Sequence, residues 1–259
     1  MDMKMAIQTG NCEALQFLLA EDPTRADELI QWGENRCILT HPLHYISDML
    51  FSGTLPKGKE LPLVDALVRA GANVNFKKPG KGETPLIGAA SLAAEDVGIA
   101  LLEAGADPTC RGIFGETALH WAALLGEDRL VARLIQGSDL DLKDQKYGSS
   151  PLGWAIYGWS NPPAGNRGRQ REVILLLVVA GSQIDPEWLK SEKVFRLLDS
   201  FNVAELHTTT GLAAPITSSL GSLVLNSSLN KQDMKCRVLA TFAVDNGGKA
   251  RFSTEIVPS

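Results

Sequence analysis

Apolar residues recur along this chain at helical spacing, in short runs that a glycine cuts off. The clearest run lies between Gly115 and Gly126. Leu119 and the pair Ala122/Ala123 share one face of a helix, and the small alanines admit a second helix at close range. Thr117 stands at the N-cap, where its hydroxyl can take a backbone N–H that the first turn leaves unpaired. Gly126 can close the helix in a left-handed conformation. The same block appears as Thr84-Pro85-Leu86-Ile87-Gly88-Ala89-Ala90 and as Ser150-Pro151-Leu152-Gly153-Trp154-Ala155, with proline at the first helical position, where its missing N–H costs nothing. Thr84, Thr117 and Ser150 stand 33 residues apart, so the chain reads as an array of repeated units.

Working outward gives about five helix-turn-helix units. The first, with Leu15, Leu18 and Leu19 on one face, is short and serves as an N-terminal cap. The second centres on Pro42-Leu43-His44-Tyr45, has its second helix over Leu63–Ala70, and carries a Gly/Pro-punctuated insertion from Phe51 to Glu60. The third has helices over Pro85–Ala93 and Glu95–Ala104. The fourth runs from Arg111 to Asp144, with its second helix over Asp128–Gln136. The fifth starts near Gln145, carries an insertion from Trp159 to Arg169, and has its outer helix over Arg171–Ala180. Both insertions fall between paired helices, and so on the edge opposite the inter-unit turns.

Pro186 to Asp199 reads as one further amphipathic helix, an atypical cap offering Trp188, Leu189, Val194, Phe195, Leu197 and Leu198 to the end of the stack. Beyond residue 200 the pattern breaks. Thr208 to Asn230 is rich in Ser, Thr, Gly and Ala and reads as a linker. Residues 235–257 alternate apolar and polar positions around Asp245-Asn246-Gly247-Gly248, which spells a β-hairpin. The expected domains are therefore 1–200, helical, and 201–259, partly disordered with a possible hairpin.

Thr84-Pro85-Leu86, Thr117-Ala118-Leu119-His120-Trp121-Ala122-Ala123, Gly71-Ala72-Asn73-Val74-Asn75 and Gly105-Ala106-Asp107 resemble the ankyrin repeat over about residues 1–200. The chain departs from the pattern at His41, which replaces the threonine, and at Ile87 and Gly153, which replace the histidine. The resemblance implies an all-α solenoid of helix pairs with hairpin-like fingers between units, a concave face of inner helices, and binding of other proteins. It also implies that the position after Leu-His faces outward on the concave side. Here that position and the next turn hold Tyr45, Trp121, Leu124, Trp154 and Tyr157, which either form a strip that grips a partner or are covered as core by the insertions.

Composition narrows the partner. The chain has 259 residues, is 44% hydrophobic and carries a formal net charge of −5, which gives no global attraction to nucleic acid or acidic membranes. No apolar run reaches the roughly 20 residues of a membrane span. Cys12, Cys37, Cys110 and Cys236 are far apart and form no CxxC pair, as expected of reduced thiols in the cytoplasm. Against the acidic background Lys77, Lys78, Lys81, Arg111, Lys143 and Lys146 collect on the fingers, either to steer an acidic partner or only to keep the loops solvated.

The chemistry of an enzyme is not found. Gly80-Lys81-Gly82-Glu83-Thr84 lacks the GxxxxGK spacing of a phosphate loop. Asp139, Asp141 and Asp144 fail the EF-hand pattern, and His41 with His44 lacks the remaining ligands of a metal site. His120 is expected to hydrogen-bond turn backbone. The sequence thus implies a monomeric, non-catalytic scaffold or adaptor with no metal and no cofactor. The alternative is a small-molecule or peptide sensor with an aromatic pocket closed by the insertions.

Overall fold

The structure is a computed structural model that describes residues 1–33, 38–80, 82–162, 168–206, 221–225, 236–244 and 250–258. Each apolar run of the repeated pattern is a helix, started by the residue the pattern put at its N-cap. Thr84 Oγ1 accepts from the Ile87 N–H, and Ser150 Oγ from the Gly153 N–H, both at 3.4 Å. At the departure from the pattern, His41 does the threonine's work: its Nδ1 accepts from the Leu43 N–H at 3.3 Å. Gly126 closes its helix at φ 74°, in the left-handed region that a side chain would strain.

Two compact units divide the chain, Met1–Val173 and Ile174–Ser259. The first contains four complete helix pairs: α1 (Met3–Thr9) with α2 (Cys12–Glu21), α3 (Pro42–Phe51) with α4 (Glu60–Arg69), α5 (Pro85–Ser91) with α6 (Glu95–Glu103), and α7 (Ala118–Leu125) with α8 (Asp128–Leu134). A fifth inner helix, α9 (Pro151–Ser160), follows. Inner helices stack in the order α1, α3, α5, α7, α9, and outer helices in the order α2, α4, α6, α8. This is the expected all-α stack.

Leu43, Leu63, Leu67, Leu86, Leu101, Leu119 and Leu130 are fully buried between the rows. Ala89, Ala90, Ala122 and Ala123 line the inner seam without exposure. The approach is closest where α7 meets α9: a Cβ on Gly158 would stand 2.2 Å from the Leu124 carbonyl oxygen, so only glycine fits.

The pattern had shown no strand ahead of His41, yet β1 (Ile30–Trp32) and β2 (Ile38–Thr40) pair antiparallel there, with Trp32 opposite Ile38. The indole of Trp32 donates to Thr40 Oγ1 at 3.1 Å, and its ring meets Tyr45 edge-on at 5.5 Å. The first insertion, between α3 and α4, buries Leu55 and lies against the Gly10 turn of the first pair. The end of the second insertion lies on the turn after α7, where the Arg169 N–H donates to the Gly126 carbonyl at 3.0 Å. Residues 163–167 of that insertion lie outside the described residues.

The division between the two compact units falls inside α10 (Gln170–Val179). In the second unit the single helix expected over Pro186–Asp199 is two: a 3-10 turn Pro186–Lys190, and α11 (Glu192–Leu206). Ser191 breaks them with an extended backbone (ψ 112°), a conformation serine favours at a cap. Cys236–Val244 (β4) and Ala250–Pro258 (β5) pair antiparallel with Phe242 opposite Phe252. Gly221–Leu225 (β3), within the stretch read as a linker, adds a third strand along β4.

Candidate protein-binding face

The turns between helix pairs are tied to one another by a ladder of side chains. The Asn73 N–H donates to Asp27 Oδ1 at 2.7 Å, and the Asp107 N–H to Asn75 Oδ1 at 2.8 Å, so an Asx residue of one turn holds the backbone of the next. The motif histidines add a second tie. His44 Nε2 meets the Glu83 carbonyl at 3.2 Å, and His120 Nε2 meets the Leu142 carbonyl at 3.1 Å. His120 Nδ1 also accepts from the Thr117 N–H at 3.1 Å, closing a capping box and fixing the proton on Nε2. His120 therefore has the backbone role its position implied.

Burial decides the charge of these rings. It pushes the His44 pKa down to about 3, helped by the positive charges of Lys78 and His41. His120 is likewise lowered, by burial first. His41 is lowered too: burial outweighs the Asp27 carboxylate 2.8 Å away. For Asp27 burial acts upward, but the Asn73 N–H and His41 outweigh it, and the carboxyl lies below its usual range.

The five residues expected on one open strip separate into two groups. Tyr45 is fully buried, and Trp154 is nearly so at 8% exposure. Tyr45 is enclosed by the β1–β2 hairpin through Trp32, and its hydroxyl accepts from Gln8 Nε2 at 2.8 Å. Trp154 is enclosed by rings: Trp121 at 5.1 Å, His120 at 5.4 Å and Tyr147 at 6.0 Å, all edge-on. Its indole donates to Asp144 Oδ2 at 3.0 Å. Both are framework, and no insertion was needed to cover Tyr45. Trp121 and Leu124 are half-buried, and Tyr157 is 63% exposed.

The cations separate as well. Lys78 is half-buried and pairs with Glu83 at 3.4 Å. Lys77, Arg111 and Lys146 are exposed on the turns and form no ion pair among the described residues. Lys81 lies outside the described residues.

Sequence reasoning passed over Ile113, Phe114 and Tyr147, which are exposed at the tips of the turns. A signal existed: each is a large apolar residue in a glycine-bearing turn, Gly112-Ile113-Phe114-Gly115 and Tyr147-Gly148, outside the helical pattern, although Tyr147 also packs edge-on against Trp154.

Other chemistry is thin. Among the described residues no group of three or more His, Cys, Asp or Glu is placed to hold a metal ion. No helix among them is long and apolar enough to cross a membrane. Cys12 and Cys110 are free thiols whose pKa burial raises.

A repeated helix pair with an Asx ladder and a threonine–histidine capping box defines a class of repeat protein, and comparison with known proteins agrees. Residues 56–144 match the family described as ankyrin repeats (3 copies), so this stretch of the chain carries ankyrin repeats. It is 39% identical over 74 residues to the human 2-5A-dependent ribonuclease, which is 29% of this chain and 10% of that protein. It is 38% identical over 76 residues to the bovine inactive serine/threonine-protein kinase TEX14, 29% of this chain and 5% of that protein. The chain thus spans a tenth or less of the relatives it matches, and the likeness lies in the repeats.

Proposed function

We propose that this chain is a non-catalytic protein–protein interaction module, a scaffold or adaptor working as a cytoplasmic monomer. It takes its partner on the edge formed by the inner-helix residues Trp121, Leu124 and Tyr157 and by the cations of the turns, Lys77, Arg111 and Lys146. One observation carries the reading. On this edge Tyr157 and the cations Lys77, Arg111 and Lys146 are exposed, the cations without an ion pair among the described residues, and Trp121 and Leu124 stay half-open although Trp121 also packs on Trp154. Half-covered aromatics beside unpaired cations are the usual anchors of a protein interface. The test is affinity capture from native lysate with the wild type and Tyr157→Ala. A stoichiometric protein held by the first and lost by the second, at unchanged melting temperature, supports the reading. Equal recovery rejects this edge.

The second reading, a small-molecule or peptide sensor, draws on the name of the human relative, which states a dependence on 2-5A. A small ligand that stays with the chain through native purification, with no protein partner, would select it.

A further inference from the structure

Two neighbouring turns, residues 111–116 and 144–149, sort their charges by direction. Their carboxylates point inward and are consumed there. Asp144 is buried and accepts from the N–H groups of Lys146 at 2.8 Å, Tyr147 at 2.7 Å and Ser149 at 3.1 Å, besides the Trp154 indole. Glu116 is buried and accepts from the Phe114 N–H at 2.9 Å. The turns are joined, since the Gln145 N–H donates to the Phe114 carbonyl at 2.6 Å.

What is left outside is apolar and cationic. Ile113 is 57% exposed, Phe114 44% and Tyr147 66%, with Arg111 exposed beside them. The Lys146 ammonium stands 4.8 Å from the centre of the Phe114 ring and 5.0 Å from that of Tyr147. No acidic side chain of the described residues pairs with it. An ammonium between two rings is partly desolvated, and an arriving carboxylate would feel it more strongly than a lysine free in water. In a molecule of net charge −5 this tip is a local reversal of sign, and loops fixed by internal hydrogen bonds lose little entropy on binding.

We propose that this tip docks a protein segment in which an Asp or Glu lies within a few residues of an aromatic or aliphatic side chain. The carboxylate pairs with Lys146, and the apolar side chain covers Ile113 and Phe114. The proposal rests on the interaction-module reading and gives it a partner chemistry.

The test is a selection of random displayed peptides on the full chain, run beside a pool of random single-stranded oligonucleotides. The selected peptides are then titrated against the wild type, Lys146→Glu and Ile113→Ser, with melting temperatures recorded. The expected peptides are rich in Asp and Glu next to Phe, Leu or Trp. They bind Lys146→Glu at least tenfold more weakly at unchanged melting temperature, and wild type more weakly as salt rises. Basic or neutral peptides, equal binding by Lys146→Glu, or enrichment of oligonucleotides in place of peptides would overturn it. Peptides lost with Tyr157→Ala but kept by Lys146→Glu reject the tip and leave the interaction module standing. If neither peptides nor captured proteins are obtained, both fail.

Discussion

Glu127 is the least favourably placed charge in the stack. It is buried, and neither carboxyl oxygen has a hydrogen-bond partner among the described residues. The nearby arginines are engaged elsewhere, Arg129 with Glu95 and Asp96, and Arg169 with Asp128. Burial first, and the Glu95 charge second, push its pKa well above the ordinary 4.5. A carboxyl raised on folding contributes stability below its unfolded pKa and loses it as pH rises toward the folded value. Glu127→Gln should therefore raise the melting temperature at pH 7 by the equivalent of roughly 1–2 kcal/mol. The gain should vanish below about pH 4, and equal melting curves at pH 7 would contradict the assignment. The buried histidines act in the opposite sense. His44 is neutral in the fold down to about pH 3 but takes a proton near 6.5 when unfolded, so its contribution is full above 6.5 and drains as pH falls toward 3. In the Glu127→Gln background, which removes the larger opposing effect and leaves only the smaller one of Asp128, also raised by burial, the urea midpoint should fall from pH 7 to pH 4. A flat profile would show that the histidines are not held neutral. The role of His120 was legible because its partners, Thr117 and the next turn, follow from the repeat. The burial of Tyr45 was not, because Gln8 and Trp32, which enclose it, carry no motif linking them to it.

At the scale of elements, the helix pairs were legible because three signals coincided: the recurring block, the N-cap residue and the glycine stop. The β1–β2 hairpin was not, since three residues per strand make no period, and only pairing in space defines them. Nor was the break at Ser191, where helical spacing of the apolar residues continues across a local change of backbone. The contact of α7 with α9 turns on one atom. Gly158→Ala places a methyl group in the Leu124 carbonyl, so the helices must separate. The expected loss is about 2 kcal/mol or more, read as a lower urea midpoint. An unchanged midpoint would mean that the helices are not packed at this distance. Trp154→Phe should cost a further, separate amount, roughly 1–3 kcal/mol, because it leaves Asp144 without its indole donor.

At the scale of the molecule, net charge and local charge point in different directions. The −5 total gives no global attraction to nucleic acid or acidic membranes, while the turns expose cations whose nearby carboxylates are buried in turn hydrogen bonds. The framework could be recognised from the sequence because it repeats. The edge proposed to meet a partner could be only half recognised, because it includes what does not repeat: Ile113, Phe114 and Tyr147 have no counterparts in the motif. Tyr45 and Trp154 are buried in the framework, whereas the turn tips and Tyr157 are proposed to meet the partner. Hydrogen–deuterium exchange of the full chain, alone and bound to its captured partner, tests this most directly. On binding, new protection is expected at residues 111–116, at 144–149 and around Tyr157. Protection confined to the outer helices α4, α6 and α8, with both turns unchanged, would contradict it.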